Sequence, residues 1–139
     1  MSKLRILVAD DEEGIRESLH LILQKDYDVD FAGDGETALK QLAGGGCDLV
    51  LLDIKMPKLD GLEVMKRLKQ QGIAVPVLML TAYQSVELAK EAIKLGALDY
   101  LPKPFEREQV LAAIRDALGG KLHSAYANTP TPAKPGDTR

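Results

Sequence analysis

The sequence predicts an α/β protein: a doubly wound (βα)5 sandwich whose five-stranded parallel sheet has the order 2-1-3-4-5, with helices on both faces. Three observations predict it. Short apolar runs alternate strictly with segments of helical periodicity along the chain. The first run, Arg5 to Ala9, is apolar on both faces, as a central parallel strand should be. The second, in which Tyr27, Val29 and Phe31 alternate with Asp28 and Asp30, has the period of two of a half-exposed strand and belongs at an edge.

The elements follow in order. After the first strand come Asp10-Asp11 and then Ile15, Leu19, Ile22 and Leu23, one buried helix face. The edge strand ends in a Gly33-Asp34-Gly35 turn. Ala38, Leu39 and Leu42 mark a short second helix, stopped by Gly44-Gly45-Gly46. The third strand, Leu49 to Leu52, ends at Asp53, and Pro57 and Gly61 frame the loop after it. Asp60 is a good N-cap with Glu63 at the capping-box distance, and Leu62, Met65 and Leu68 give the third helix its buried face. Pro76 opens the fourth strand, Val77 to Leu80, where its missing N–H costs least, and Thr81 follows. Ser85 is placed to cap a fourth helix carrying Ala89, Ala92 and Ile93, with Gly96 as its C′ residue. The fifth run, Leu98 to Leu101, leads to Pro102-Lys103-Pro104, and Val110, Leu111, Ile114 and Leu118 form the last helical stripe. From Gly119 the composition turns to Pro, Thr and Gly without apolar periodicity. Residues 1–118 are therefore expected to form one domain and 119–139 a tail or linker.

Composition narrows the function. The 139 residues carry a net charge of −3, from 18 basic and 21 acidic side chains, with no concentrated basic stripe for nucleic acid. No apolar stretch approaches a membrane span, and the first strand begins too early for a signal peptide. With one cysteine, Cys47, no internal disulfide is possible, and a cytoplasmic setting is expected. Cys47 reads as a small residue beside the glycines, with no adjacent acid–base partner. His20 and His123 lack metal-ligand spacing and read as surface residues.

In open parallel sheets, ligands bind beyond the carboxyl ends of the strands. Asp10, Asp11, Asp53, Thr81 and Lys103 all fall there. Asp10 and Asp11 alone would be an ordinary N-cap pair, and Lys103 alone one solvated lysine among many. Together, three carboxylates repel unless a cation neutralises them, and Mg2+ takes a few carboxylates while leaving positions for phosphate oxygen. Asp53 is then a candidate nucleophile toward a phosphoryl donor. Pro102 and Pro104 fix the backbone around Lys103, and a cis Lys103–Pro104 peptide would aim the side chain inward.

Val-Ala-Asp-Asp-Glu at 8–12, Leu-Leu-Asp-Ile-Lys-Met-Pro-Lys-Leu-Asp-Gly at 51–61, Leu-Thr-Ala at 80–82 and Asp-Tyr-Leu-Pro-Lys-Pro-Phe at 99–105 resemble a response-regulator receiver domain of two-component signalling, over about residues 4–118. The resemblance implies that Asp53 is the phosphoacceptor, supplied by a sensor histidine kinase or histidine phosphotransfer protein. It implies that Asp11, Asp53 and the Lys55 backbone carbonyl ligate Mg2+ directly, with Asp10 nearby through water. Thr81 and Lys103 would contact the phosphoryl oxygens, and Tyr100 would be the switch aromatic that turns inward as Thr81 moves. Output is expected through the face of the fourth helix, fifth strand and fifth helix. Such a domain promotes its own phosphorylation and dephosphorylation but is not an enzyme acting on an external metabolite.

The segment from Ala92 to Tyr100 looks most like receivers of enhancer-binding transcription activators. Winged-helix regulators usually carry two acidic residues before the switch aromatic, whereas position 98 here is Leu; the dimerising charge network in which Arg115 could take part is not implied. A stand-alone phosphorelay protein without DNA-binding output is the alternative. An Asp-nucleophile phosphatase would carry a second Asp where Lys55 stands. A flavin carrier would need a Ser/Thr/Gly phosphate loop where Asp10-Asp11-Glu12-Glu13 stands.

Overall fold

The computed structural model describes residues 3–82 and 86–119. Five strands and five helices alternate: β1 (Arg5–Ala9), α1 (Glu13–Leu23), β2 (Asp28–Ala32), α2 (Gly35–Ala43), β3 (Leu49–Asp53), α3 (Gly61–Gln70), β4 (Val77–Ala82), α4 (Val86–Lys94), β5 (Asp99–Lys103) and α5 (Arg107–Leu118). The strands are all parallel, in the order β2-β1-β3-β4-β5. The expected sandwich is present.

Two apolar layers clothe the sheet because successive side chains of a strand point to opposite faces. Ile6, Val8, Leu49, Leu51, Leu78, Leu80 and Leu101 pack with α1 and α5 residues such as Leu19, Leu23, Val110 and Ile114. Leu7, Ala9, Val50, Leu52, Val77, Met79 and Tyr100 pack on the other face with Ala38 and Leu42 of α2, Met65 and Leu68 of α3, and Ala89 and Ala92 of α4. β3 is buried from end to end, which accounts for its unbroken run of branched residues. In β2, exposed Asp28 and Asp30 alternate with half-buried Val29 and Phe31, as an edge strand requires.

The helix ends repeat the sequence logic, with exceptions. Asp60 caps α3, its Oδ1 accepting from the Glu63 N–H at 2.8 Å, and Asp34 caps α2 in the same way through Thr37. Gly96, at φ +116, closes α4: its N–H donates to the Ile93 carbonyl and the Ala97 N–H to the Ala92 carbonyl, a Schellman arrangement. Val64 joins Met65 and Leu68 in the buried face of α3, while Leu62 is half-buried. His20 is half-buried rather than at the surface, its ring stacked at a tilt on Phe31 with centroids 5.6 Å apart. Ser85, His123 and the tail from residue 120 lie outside the described residues. No described helix is long and apolar enough to cross a membrane.

Two strands run further than their apolar cores suggest. β4 includes Thr81 and Ala82, and β5 includes Pro102 and Lys103, because Thr81 pairs with Pro102 and Ala82 with Lys103. Pro102 is tolerated because β5 is an edge strand with no neighbour beyond it.

Candidate functional site

The site lies where β1, β3, β4 and β5 end together. β1 delivers Asp10, whose backbone is held from both sides: its N–H donates to the Ala32 carbonyl at 3.0 Å, and its carbonyl accepts from Arg16 Nη1 at 2.8 Å. The Asp10 carboxylate is fully buried, and its Oδ1 accepts from the Glu12 N–H at 2.9 Å. This turn makes Glu12, not Asp10 or Asp11, the N-cap residue of α1, so the ordinary cap reading of the Asp pair fails. Neither carboxylate serves as the N-cap of the helix.

Asp53 ends β3 and is only 6% exposed. The loop after it folds back tightly: the Ile54 N–H donates to the Leu80 carbonyl, and the Gly61 N–H to the Ile54 carbonyl at 2.6 Å. A Cβ at Gly61 would collide with the Asp53 carbonyl, so only glycine lets α3 begin this close to the acid. Lys58 takes the left-handed conformation, φ 71, in the same loop.

Lys103 completes the constellation from β5, and the Lys103–Pro104 peptide is cis. Its Nζ lies 2.8 Å from Asp10 Oδ2, 3.5 Å from Asp53 Oδ1 and 3.6 Å from Glu12 Oε1. The Asp10 contact is a close, buried ion pair. Carboxylate oxygens of Asp10, Asp11 and Asp53 lie within 4.8 Å of one another.

The electrostatics follow from that crowding. Burial, then the charge of Asp10, raises the Asp53 pKa from 3.8 to about 6, although Lys103 pulls it back. Burial acts to lower the Lys103 pKa, but close Asp10 and the charges of Asp53 and Glu12 outweigh it and hold the ammonium. One lysine does not balance three converging carboxylates. Hard oxygen donors at this spacing, two of the three on buried side chains, fit Mg2+.

The mouth, a cleft of about 290 Å3, is lined by Asp11, Glu12, Asp53, Ile54, Lys55, Ala82 and Lys103. It is lined mainly by charged side chains, unlike the mostly apolar pockets that hold organic cofactors. An apolar groove of about 600 Å3 runs past Met65, Leu68, Ile73 and Leu95 at the opposite edge of the sheet, away from these groups.

Every candidate named from the sequence falls at this edge except Tyr100, and two placements add detail. Thr81 is fully buried, and its hydroxyl donates to the Ala82 carbonyl at 3.1 Å; Ala82, not Thr81, lines the mouth. Tyr100 is 9% exposed and packs in the layer beneath α4, and burial raises its pKa. Asp99 is wholly buried, its Oδ1 accepting from the Tyr100 N–H at 2.8 Å, so the one acid before the aromatic faces inward rather than onto a surface. Arg16 and Glu12 were missed as site residues. The helical period places Arg16 one turn into α1, but its reach back to the Asp10 carbonyl depends on the bend of the intervening turn.

Known proteins share this fold and sequence. The chain is 47% identical over 116 residues to the response regulator MprA of Mycolicibacterium vanbaalenii, covering 83% of this chain and 50% of that protein. It is 46% identical to MprA of Mycobacterium avium over the same length. The chain spans about half the length of the curated relatives it matches. The receiver domain of Francisella response regulator 1452 superposes with a TM-score of 0.78 at 32% identity, over 85% of this chain and 98% of that one. NtrX from Brucella abortus, solved in complex with ADP, superposes at 0.79 and 33% identity over 85% of this chain but 27% of that one. The model of the response regulator receiver domain matches residues 6–115, and the chain belongs to that family.

Proposed function

We propose that Asp53 accepts a phosphoryl group from a phosphohistidine of a sensor kinase or phosphotransfer protein, and that Asp10, Asp11, Asp53 and the Lys55 carbonyl hold the Mg2+ the reaction needs. The observation that carries this reading is Lys103 Nζ standing between Asp10 and Asp53 within a cluster of three carboxylates at one strand edge. When bound, the ion neutralises the carboxylates and polarises the phosphoryl oxygens.

The chain's own residues supply nucleophile, orientation and a positive charge. A carboxylate oxygen of Asp53 forms the new O–P bond as the P–N bond to the donor imidazole breaks, and the electron pair leaves on that nitrogen. Lys103 is already within 3.5 Å of Asp53 and moves little to meet a phosphoryl oxygen. The product is an acyl phosphate that water reverts to carboxylate and phosphate, so the signal times itself.

The relay we propose passes from Thr81 to Tyr100 and on to the face formed by α4, β5 and α5. In the described state the Thr81 hydroxyl is bonded to the Ala82 carbonyl and Tyr100 is already inward, so phosphorylation would redirect the hydroxyl and bias an equilibrium between two packings. The residues from Ala92 to Tyr100 support an output domain of the enhancer-binding ATPase kind.

Intact-mass measurement after incubation with acetyl phosphate tests the core of the proposal. Wild type should gain one phosphoryl mass only with Mg2+, and Asp53→Asn none. Labelling of the Asn variant, or labelling in chelator, would remove the assignment.

A further inference from the structure

We infer that Glu12 is a positioning residue for Lys103, competing with the phosphoryl group for its ammonium and so setting how tightly that group is held. This rests on the phosphoryl-site reading above and adds a residue to it.

Three carboxylates approach Lys103 Nζ. Asp10 and Asp53 are buried and belong to the cluster suited to a cation. Glu12 is neither: its side chain is 63% exposed and stands outside that cluster, yet its Oε1 lies 3.6 Å from the ammonium.

The backbone around Glu12 supports the same point. Glu12 is the N-cap residue of α1, in extended conformation with φ −95 and ψ 119. From such a position a side chain can turn back onto the first helical N–H groups, as Asp34 and Asp60 do. At α5 the Glu106 N–H is held by Gln109 Oε1 at 2.8 Å. Glu12 makes no cap bond, and its carboxylate leans over the lysine instead.

The consequence is electrostatic. A phosphoryl group on Asp53 carries about two negative charges and seeks Lys103 as counter-charge. The Glu12 carboxylate must yield the ammonium and is also repelled by the new charge. Losing it should therefore favour the phosphoryl-bound state. No bond forms or breaks at Glu12.

The test uses the 139-residue chain and beryllofluoride, a mimic of the bound phosphoryl group, titrated at saturating Mg2+ and followed by NMR. Glu12→Gln should bind it roughly two- to five-fold more tightly, the size of an exposed ion pair, and the gain should shrink in high salt. Glu12→Asp should show a similar gain, because the shorter side chain falls short of Lys103 and caps α1 instead. Unchanged or weaker binding by Glu12→Gln, beside intact Mg2+-dependent binding by wild type, overturns this inference alone. Wild-type affinity in Glu12→Asp also overturns it, since the charge would then act without the Lys103 contact. Failure of wild type to bind the mimic with Mg2+ removes the phosphoryl-site reading and this inference together.

Discussion

Asp53→Asn should stabilise the metal-free protein near neutral pH, although it destroys the proposed phosphoacceptor. Asp53 is 6% exposed, and its pKa is raised from 3.8 to about 6, mainly by burial and then by the Asp10 charge. A folded-state value above the unfolded one means that the native state binds the proton more tightly. Asp53 therefore contributes favourably below about pH 4, and that contribution is lost as pH rises through about 6. The interval corresponds to roughly 3 kcal/mol above pH 6, an upper bound because Lys103 and local relaxation share the strain. Asn carries no charge and escapes the penalty. Its advantage over wild type should be small at pH 4, grow between pH 4 and 6, and level at about 1–3 kcal/mol by pH 7.5. For a domain of this size that is roughly 4–12 °C in Tm. Thermal melts of both proteins in chelator, from pH 4 to 8, read the difference. Mg2+ should narrow it by stabilising wild type. An Asn variant less stable than wild type at pH 7.5, or a difference independent of pH, would refute the argument that converging carboxylates strain the metal-free fold.

Other perturbations follow from the same contacts. Mg2+ should raise Tm, by about 2.7 kcal/mol of stability at a hundred times its Kd, and Asp11→Asn should remove most of that response in a titrated melt. Lys103→Met should cost about 1–3 kcal/mol in chelator at pH 7, because buried Asp10 and Asp53 lose their counter-charge, measured by urea unfolding. Gly61→Ala should slow labelling by acetyl phosphate and lower Tm, since a Cβ there meets the Asp53 carbonyl, whereas Gly14→Ala, with open space around it, should do neither. Beryllofluoride with Mg2+ should shift NMR signals from Thr81 through residues 86–118, and Thr81→Ala should shrink the set; changes confined to the loops around Asp11, Asp53 and Lys103 would remove the proposed relay.

The order of elements was legible because the two hydrophobic periods differ. A run such as Leu49–Asp53 is apolar on both faces only if helices cover both, and the alternation in Asp28–Ala32 marks the edge that fixes the order 2-1-3-4-5. The site was legible because parallel strands all present their carboxyl ends at one edge, so Asp10, Asp53, Thr81 and Lys103 had to converge once the strands were placed. Direction and pairing were not. Whether Asp10 capped α1 or entered the site depended on its Oδ1 taking the Glu12 N–H, a matter of turn geometry. The raised pKa of Asp53 depends on burial and neighbours far apart in sequence. The sequence shows Asp99 and Tyr100 only as one acid before an aromatic; that both are buried, in register with Leu78 and Met79, is seen only in the folded sheet. Glu12, third in an acidic string, gains its meaning only from Lys103, which lies on the fifth strand and reaches it because the sheet brings β1 and β5 to a common edge. Local pattern determines which residues face a core and where a strand stops. Which charges then share a proton, a cation or a lysine is decided by distances of 3 to 4 Å between segments some 90 residues apart in the chain, and only the folded sheet sets those distances.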